Sequence, residues 1–194
     1  SFSILARESL VAAFERARSL GHLPEDGTGG VGTEHLLLGM SMAMGSAASR
    51  ALRAVGVTAE DLQEAILQLW PQGDARPPPT AVELLRPPLN AEAEFYLRRA
   101  SRMLSWLHRP GTPRVLGTEH VMLGLLSNGS HAAGRVLLTF DSDGFGRAVT
   151  RFDSGSGGSS SNPRRAALRA ALMRLVNSGD GDAQGTASGA GASA

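Results

Sequence analysis

The chain has 194 residues, 42% of them hydrophobic, and nineteen basic against eighteen acidic residues give a formal net charge of +1. That length and apolar content support one or two modest domains with a real core, and the near balance of charge gives no general pull toward nucleic acid or membrane. All nineteen basic residues are arginine and cysteine is absent, which excludes a P-loop lysine, Schiff-base chemistry, disulfides, thiolate nucleophiles and cysteine-bound zinc.

Ser3 caps a first helix whose Leu5, Ala6, Leu10, Ala13, Phe14, Ala17 and Leu20 recur at helical spacing, ending near Gly21-His22. A Gly- and Pro-punctuated loop follows over Leu23 to Gly30. Thr33 caps a second helix to about Met44, Ala47 to Val55 form a third that Gly56 stops, and Thr58 caps a fourth with Leu62, Ile66, Leu67 and Trp70 inward. Six prolines mark residues 71–89 as a linker with at most one turn at Ala81 to Leu85.

Asn90 caps the next helix, with Ala93, Leu97, Ala100, Leu104 and Leu107 inside, Thr118 opens another, and His131 to Phe140 form a third. Asp143-Gly144-Phe145-Gly146 predicts a short or distorted fourth. Residues 153–162 read as a Gly/Ser tether, 163–177 as an amphipathic helix carrying Arg164, Arg165, Arg169 and Arg174 around its polar side, and 178–194 as a disordered tail. No stretch reaches the roughly 18 to 20 apolar residues that span a bilayer, nor does a basic segment precede an apolar core at the N-terminus, so the cytoplasm is the expected location.

One hexad occurs twice. Gly32-Thr33-Glu34-His35 with Leu38-Gly39 recurs as Gly117-Thr118-Glu119-His120 with Leu123-Gly124, 85 residues later. Ala47-Ala48, Arg50 and Leu52 match Ala132-Ala133, Arg135 and Leu137 at that offset, while Ser3, Ala6, Leu10, Ala13 and Leu20 match Asn90, Ala93, Leu97, Ala100 and Leu107 at 87. This is an internal duplication. It predicts an all-α, pseudo-twofold bundle of about eight helices, one repeat over residues 1–70 and the other over 90–152, with the C-terminal helix tethered beside it.

The structural reading of each Thr-Glu pair is a helix cap plus a first-turn carboxylate at the positive end of the dipole. The functional reading is a corner where helix-terminal amides favour an anion and the glutamate favours a cation, so that a phosphorylated guanidinium fits both. His35 and His120 beside the glutamates suggest acid-base or metal chemistry, but the H-E-x-x-H pattern and any recurring third ligand are missing, so interhelical bonding is the expected role. His22 and His108 sit where each first helix ends, and His131 has no counterpart. No catalytic residue, metal or cofactor is expected. The arginine-bearing helix could face nucleic acid, yet it has no interleaved aromatics, so docking on the body or on a partner is expected.

The doubled Gly-Thr-Glu-His-x-x-Leu-Gly hexad, each copy following a helix that ends like Leu20-Gly21-His22 and preceding an Ala-Ala helix, resembles the double-repeat N-terminal domain of the Clp unfoldases, closest to the ClpC type. The resemblance covers Phe2 to Phe152. It implies a receptor that binds substrates, adaptors or phosphoarginine-marked proteins at two sites, with the glutamate on the guanidinium and the helix start and threonine on the phosphate. Residue by residue, these are Thr33 and Glu34 in one site and Thr118 and Glu119 in the other. In some relatives the same surface takes cyclic peptide antibiotics. Since a tether, one helix and a tail stand where an ATPase would follow, a stand-alone adaptor or decoy for Clp-dependent proteolysis is the expected role. The alternatives are a small Glu/His or metal-dependent enzyme and a regulator using the basic helix on nucleic acid. The inserted loops, Pro24 to Gly30 and Pro110 to Arg114, are expected to reshape or cover the two sites.

Overall fold

The computed structural model describes residues 1–23, 30–75, 77, 81–85, 87–107, 114–142 and 163–182, and every regular element among them is a helix. The helices are α1 (Ile4–Ser19), α2 (Thr33–Met42), α3 (Ala47–Ala54), α4 (Ala59–Leu69), α5 (Ala81–Leu85), α6 (Ala91–Leu107), α7 (Thr118–Leu125), α8 (Ala132–Ser142) and α9 (Pro163–Ser178). Local chemistry sets most of their starts. Ser3 Oγ accepts from the Ala6 amide at 3.0 Å, Asn90 Oδ1 from Ala93 at 2.8 Å, and Thr58 and Asp61 form a reciprocal box. Gly21, at φ 69°, ends α1 by letting the His22 amide turn back to the Ala17 carbonyl. The turn expected at Ala81 to Leu85 is α5, strapped to α1 by Arg18, which meets Glu83 at 2.8 Å and the Pro77 carbonyl.

The two repeats are interlaced rather than set side by side. The segment before α1 pairs with the segment before α7, Phe2 against Leu116, and the segment before α6 pairs with the one before α2, Leu89 against Val31. The bonds correspond one for one: Ser3 N–H to Leu116 O at 2.9 Å mirrors Asn90 N–H to Val31 O at 3.1 Å, and Leu116 N–H to Ser1 O at 2.8 Å mirrors Val31 N–H to Pro88 O at 2.8 Å. Each repeat thus begins on the other. Residues of both repeats form one apolar cluster, in which Phe14, Leu36, Leu37, Met122, Leu125 and Leu168 are all under 2% exposed.

The motif's second glycine permits this packing. α1 lies on α2 so closely that a β-carbon on Gly39 would overlap the Ser9 carbonyl oxygen and come within 2.7 Å of the Ala13 amide. At Gly124, between α6 and α7, the nearest atom would be the Ala100 side chain at 3.1 Å. The motif leucines, Leu38 and Leu123, are core residues at 1% and 2% exposure.

The fourth helix of the second repeat takes an unexpected form. The Asp143 to Gly146 segment lies outside the described residues, but α9 stands where a partner of α4 belongs. α4 packs on α2 and α8, and α9 packs on α7 and α3, the equivalents under the pseudo-twofold. Both anchor through an i, i+4 pair, Leu62 with Ile66 and Leu168 with Leu172, each under 2% exposed. The arginine-bearing helix is therefore a docked part of the bundle, and two arginines expected on its polar side turn inward. Arg164, 7% exposed, stacks over Phe140, and Arg165 donates to the Leu126 carbonyl at 2.6 and 3.0 Å. The expected disordered tail also starts too early, since Ser178 closes α9 and Asp182 is only 7% exposed. The tether at 153–162 and residues 183–194 lie outside the described residues.

Replacing Gly39 by alanine is expected to cost about 1–3 kcal/mol through overpacking, and Gly124→Ala less, because the nearest atoms at the second crossing stand 3.1 to 3.3 Å from the added β-carbon and need move only slightly. Chemical denaturation of both variants measures this; equal losses would show that the two helix crossings are equally tight.

Candidate functional site

Each hexad residue has a distinct task at the start of α2 or α7. The N-cap is the glycine rather than the expected threonine, because Gly32 and Gly117 are the last extended residues, at φ −86° and −90°. The glutamate carboxylate folds back over that glycine, and a β-carbon there would collide with the Glu34 or Glu119 oxygens. The histidine reaches back too: Gly32 N–H donates to His35 Nδ1 at 3.1 Å, and Gly117 N–H to His120 Nδ1 at 3.2 Å.

The threonine works across the twofold. Ala133 N–H of α8 donates to Thr33 Oγ1 at 3.0 Å, and Ala48 N–H of α3 donates to Thr118 Oγ1 at 3.1 Å. Both threonines are fully buried, and their hydroxyls hold the other repeat's helix. The consequence is that two helix N-termini converge at each glutamate, α2 with α8 at Glu34 and α7 with α3 at Glu119, and their dipoles concentrate positive potential there.

At the first corner Glu92, from α6, accepts from the Thr33 hydroxyl at 2.9 Å and from the Ala132 amide at 3.3 Å. Glu34 Oε1 lies 3.0 Å from His35 Nδ1, while Oε2 is buried and finds no hydrogen-bond partner among the described residues. His35 Nδ1 serves one neighbour at a time, accepting from Gly32 when bare and donating to Glu34 when protonated. Its Nε2 faces His22 Nδ1 at 3.0 Å. Burial pushes the Glu34 carboxyl up, but the His35 hydrogen bond and charge, its own amide and His22 together outweigh this and hold it below the usual carboxylate range. Arg135, in the first turn of α8, stacks on Trp70 at the end of α4, 5.2 Å from the ring centroid.

The second corner is occupied by the chain itself. Asp182 Oδ1 accepts from the Ala47 amide of α3 at 2.7 Å, and Oδ2 from the Thr118 amide of α7 at 2.8 Å. Its own N–H donates to Glu119 Oε2 at 3.3 Å, while Glu119 Oε1 lies 3.1 Å from His120 Nδ1, leaving Glu119 1% exposed. Among the described residues neither motif glutamate forms an ion pair with an arginine; each meets its own histidine.

The expected residues Thr33 with Glu34, and Thr118 with Glu119, do come together, but Glu92 and Asp182 were missed. In the position of Glu92 the first repeat has Leu5, so the duplication itself hid it. Asp182 had one signal, as Asp180 and Asp182 are the only charged residues in 178–194. Of the expected covering loops, residues 24–29 and 110–113 lie outside the described residues, as does His108. His131 caps α8, accepting from Gly134 N–H at 3.1 Å and donating through Nε2 to Leu125 O, the task Ser46 performs for α3. No group of three potential metal ligands occurs among the described residues, and no described helix is long and apolar enough to cross a membrane. An open groove of about 590 Å³ between α1, α2 and α4, lined by Arg16, Leu38, Met42, Glu60, Glu64 and Leu67, includes neither motif glutamate.

The Clp repeat (R) N-terminal domain model matches residues 1–140. The chain is 30% identical over 139 residues to the negative regulator of genetic competence ClpC/MecB of Bacillus subtilis, covering 70% of this chain and 15% of that protein. It is 32% identical over 139 residues to an ATP-dependent Clp protease ATP-binding subunit ClpA homolog of Cyanidium caldarium, covering 70% and 14%. Against the chaperone protein ClpB of Oceanobacillus iheyensis it is 29% identical over 139 residues, covering 70% and 15%. The chain thus spans about a seventh of the length of these relatives, and the matched region ends within α8.

Burial holds both His131 and His22 below the usual histidine value, in His22 with help from the neighbouring His35. An unfolded histidine takes up its proton near pH 6.5 and these folded ones only below that, so their contribution is complete above about 6.5 and is lost as the pH falls through the folded values. The Glu34 contribution, from a carboxyl titrating below its ordinary 4.5, is present above that pH and is lost at more acidic values. The thermal midpoint is therefore expected to fall from pH 7 toward pH 5, and to fall less steeply in His131→Asn; an identical slope in the variant would contradict the capping role of a neutral imidazole.

Proposed function

Because the chain belongs to the Clp repeat N-terminal domain family, with residues 1–140 matching, we propose that it is a protein-interaction module of the Clp system that binds and does not transform its ligand. In this reading it takes Clp clients, adaptors or peptide-like ligands and acts as adaptor or decoy for Clp-dependent proteolysis. The corner at Glu34 is the binding site, and its chemistry suits a phosphorylated guanidinium.

The observation that carries this reading is the buried, unpartnered Glu34 Oε2 beside two converging helix N-termini. A buried carboxylate oxygen without a donor is costly, and a guanidinium supplies the paired N–H groups that it lacks. A phosphoryl group on the same ligand would accept from the α8 terminus once Glu92, which reaches the Ala132 amide at a long 3.3 Å, swings aside. Arg135 stands on the same helix turn to balance its charge. Thr33 contributes by holding α8 in place, and Thr118 by holding α3. Glu119 is proposed as the equivalent group of a corner that the chain has filled with Asp182.

The test is calorimetric titration of a phosphoarginine-containing peptide into the full chain and two variants. Glu34→Gln is expected to weaken binding by about 10- to 100-fold, the loss of one charge-assisted bidentate contact worth about 1.5–3 kcal/mol, and Glu119→Gln to leave it within about twofold. Loss of binding in Glu119→Gln alone would move the site to the other corner, and binding unaffected by either change would remove both glutamates from the assignment.

A further inference from the structure

The segment seated in the second corner shows what that corner accepts. Four features of residues 180–182 are read at once. The Asp180 carbonyl accepts from Arg50 Nη2. Gly181 lies flat on Glu119, where a β-carbon would stand 2.7 Å from Oε1. The Asp182 amide donates to Glu119 Oε2, and the Asp182 carboxylate bridges the amides of Ala47 and Thr118. The side chain of Asp180, by contrast, bonds only to Ser178 among the described residues.

We propose that the second corner is a peptide-carboxylate site that reads Gly-Asp, that Gly181-Asp182 is its resident occupant, and that an acidic peptide of the same pattern on another protein binds there by displacing it. The carboxylate, 7% exposed and bonded to two helix termini, is the right shape and charge for the cradle. The glycine requirement comes from the Glu119 carboxylate beneath it, and the peptide direction from Arg50 on one side and Glu119 on the other. The resident segment lies beyond residues 1–140, the region that matches the family. The inference rests on the protein-interaction reading but uses the other corner, so the two fail separately.

An internal occupant sets a threshold for any external one. A cradle occupied nine-tenths of the time lowers the apparent affinity of a competitor about tenfold. Binding in trans should therefore be weak in the intact chain and strong once the resident carboxylate is removed.

The experiment measures anisotropy of a labelled Ser-Gly-Asp-Gly-Asp peptide against the full chain and its Asp182→Ala variant, with amide hydrogen exchange at Ala47 and Thr118 as a second readout. The variant is expected to bind the peptide at least about tenfold more tightly than the intact chain. A peptide with its final Asp replaced by Asn, or its second Gly by Val, should not bind. The two amides should exchange faster in the variant and regain protection with the peptide. Equal affinity for the intact chain and the variant, or equal binding of the Asn peptide, would overturn the proposal. Inorganic phosphate that restores protection where the peptide does not would also overturn it, by showing a simple anion cradle. Far-ultraviolet circular dichroism and the thermal midpoint of Asp182→Ala establish that the variant is folded, and Asp182→Asn, which keeps the shape, should repeat its exchange pattern. Failure of phosphoarginine binding at Glu34 would leave these outcomes untouched.

Discussion

The structure depends on an exchange of caps between the two repeats. A helix N-terminus leaves amides without partners, and inside a core these must be satisfied or the helix cannot be buried there. Here Thr33 of the first repeat serves α8 of the second, and Thr118 of the second serves α3 of the first. The paired bridges Phe2 with Leu116 and Val31 with Leu89 tie the same elements from outside. Neither repeat can therefore close its own core alone, and the duplication is retained as a single cooperative body.

The same arrangement makes a site without further machinery. Bringing two N-termini together concentrates partial positive charge, and the chain answers with carboxylates: the motif glutamate over its glycine, and a second acid from elsewhere. Gly32 and Gly117 leave room for the glutamate that lies on them, since a β-carbon at either position would push that carboxylate aside. Architecture and the proposed recognition thus draw on the same four residues, which is why the hexad reads equally well as a cap and as a binding motif.

Duplication made the corners alike and later changes made them different. The first is answered by Glu92 from α6, whose contact with α8 is long, and its Glu34 keeps one oxygen without a donor among the described residues. The second has leucine at the position equivalent to Glu92 and is answered by Asp182, delivered by α9. α9 takes the place of a fourth helix, and the residues that follow it run back over the cradle. One corner is left chemically unsaturated and the other is filled.

The sequence by itself determined the duplication, the helical class, the apolar stripes and the caps at Ser3, Thr58 and Asn90, because periodicity and first-turn hydrogen bonds act within a few residues. It also placed Glu34 and Glu119 at helix starts for the same reason. Only the tertiary structure decided that Thr33 serves a helix a hundred residues away, that Arg164 turns inward onto Phe140, and that Asp182 bridges Ala47 and Thr118 across 135 and 64 residues. The partner of a helix-terminal amide is whichever acceptor the packing brings to it, and no spacing along the chain records which helices will meet.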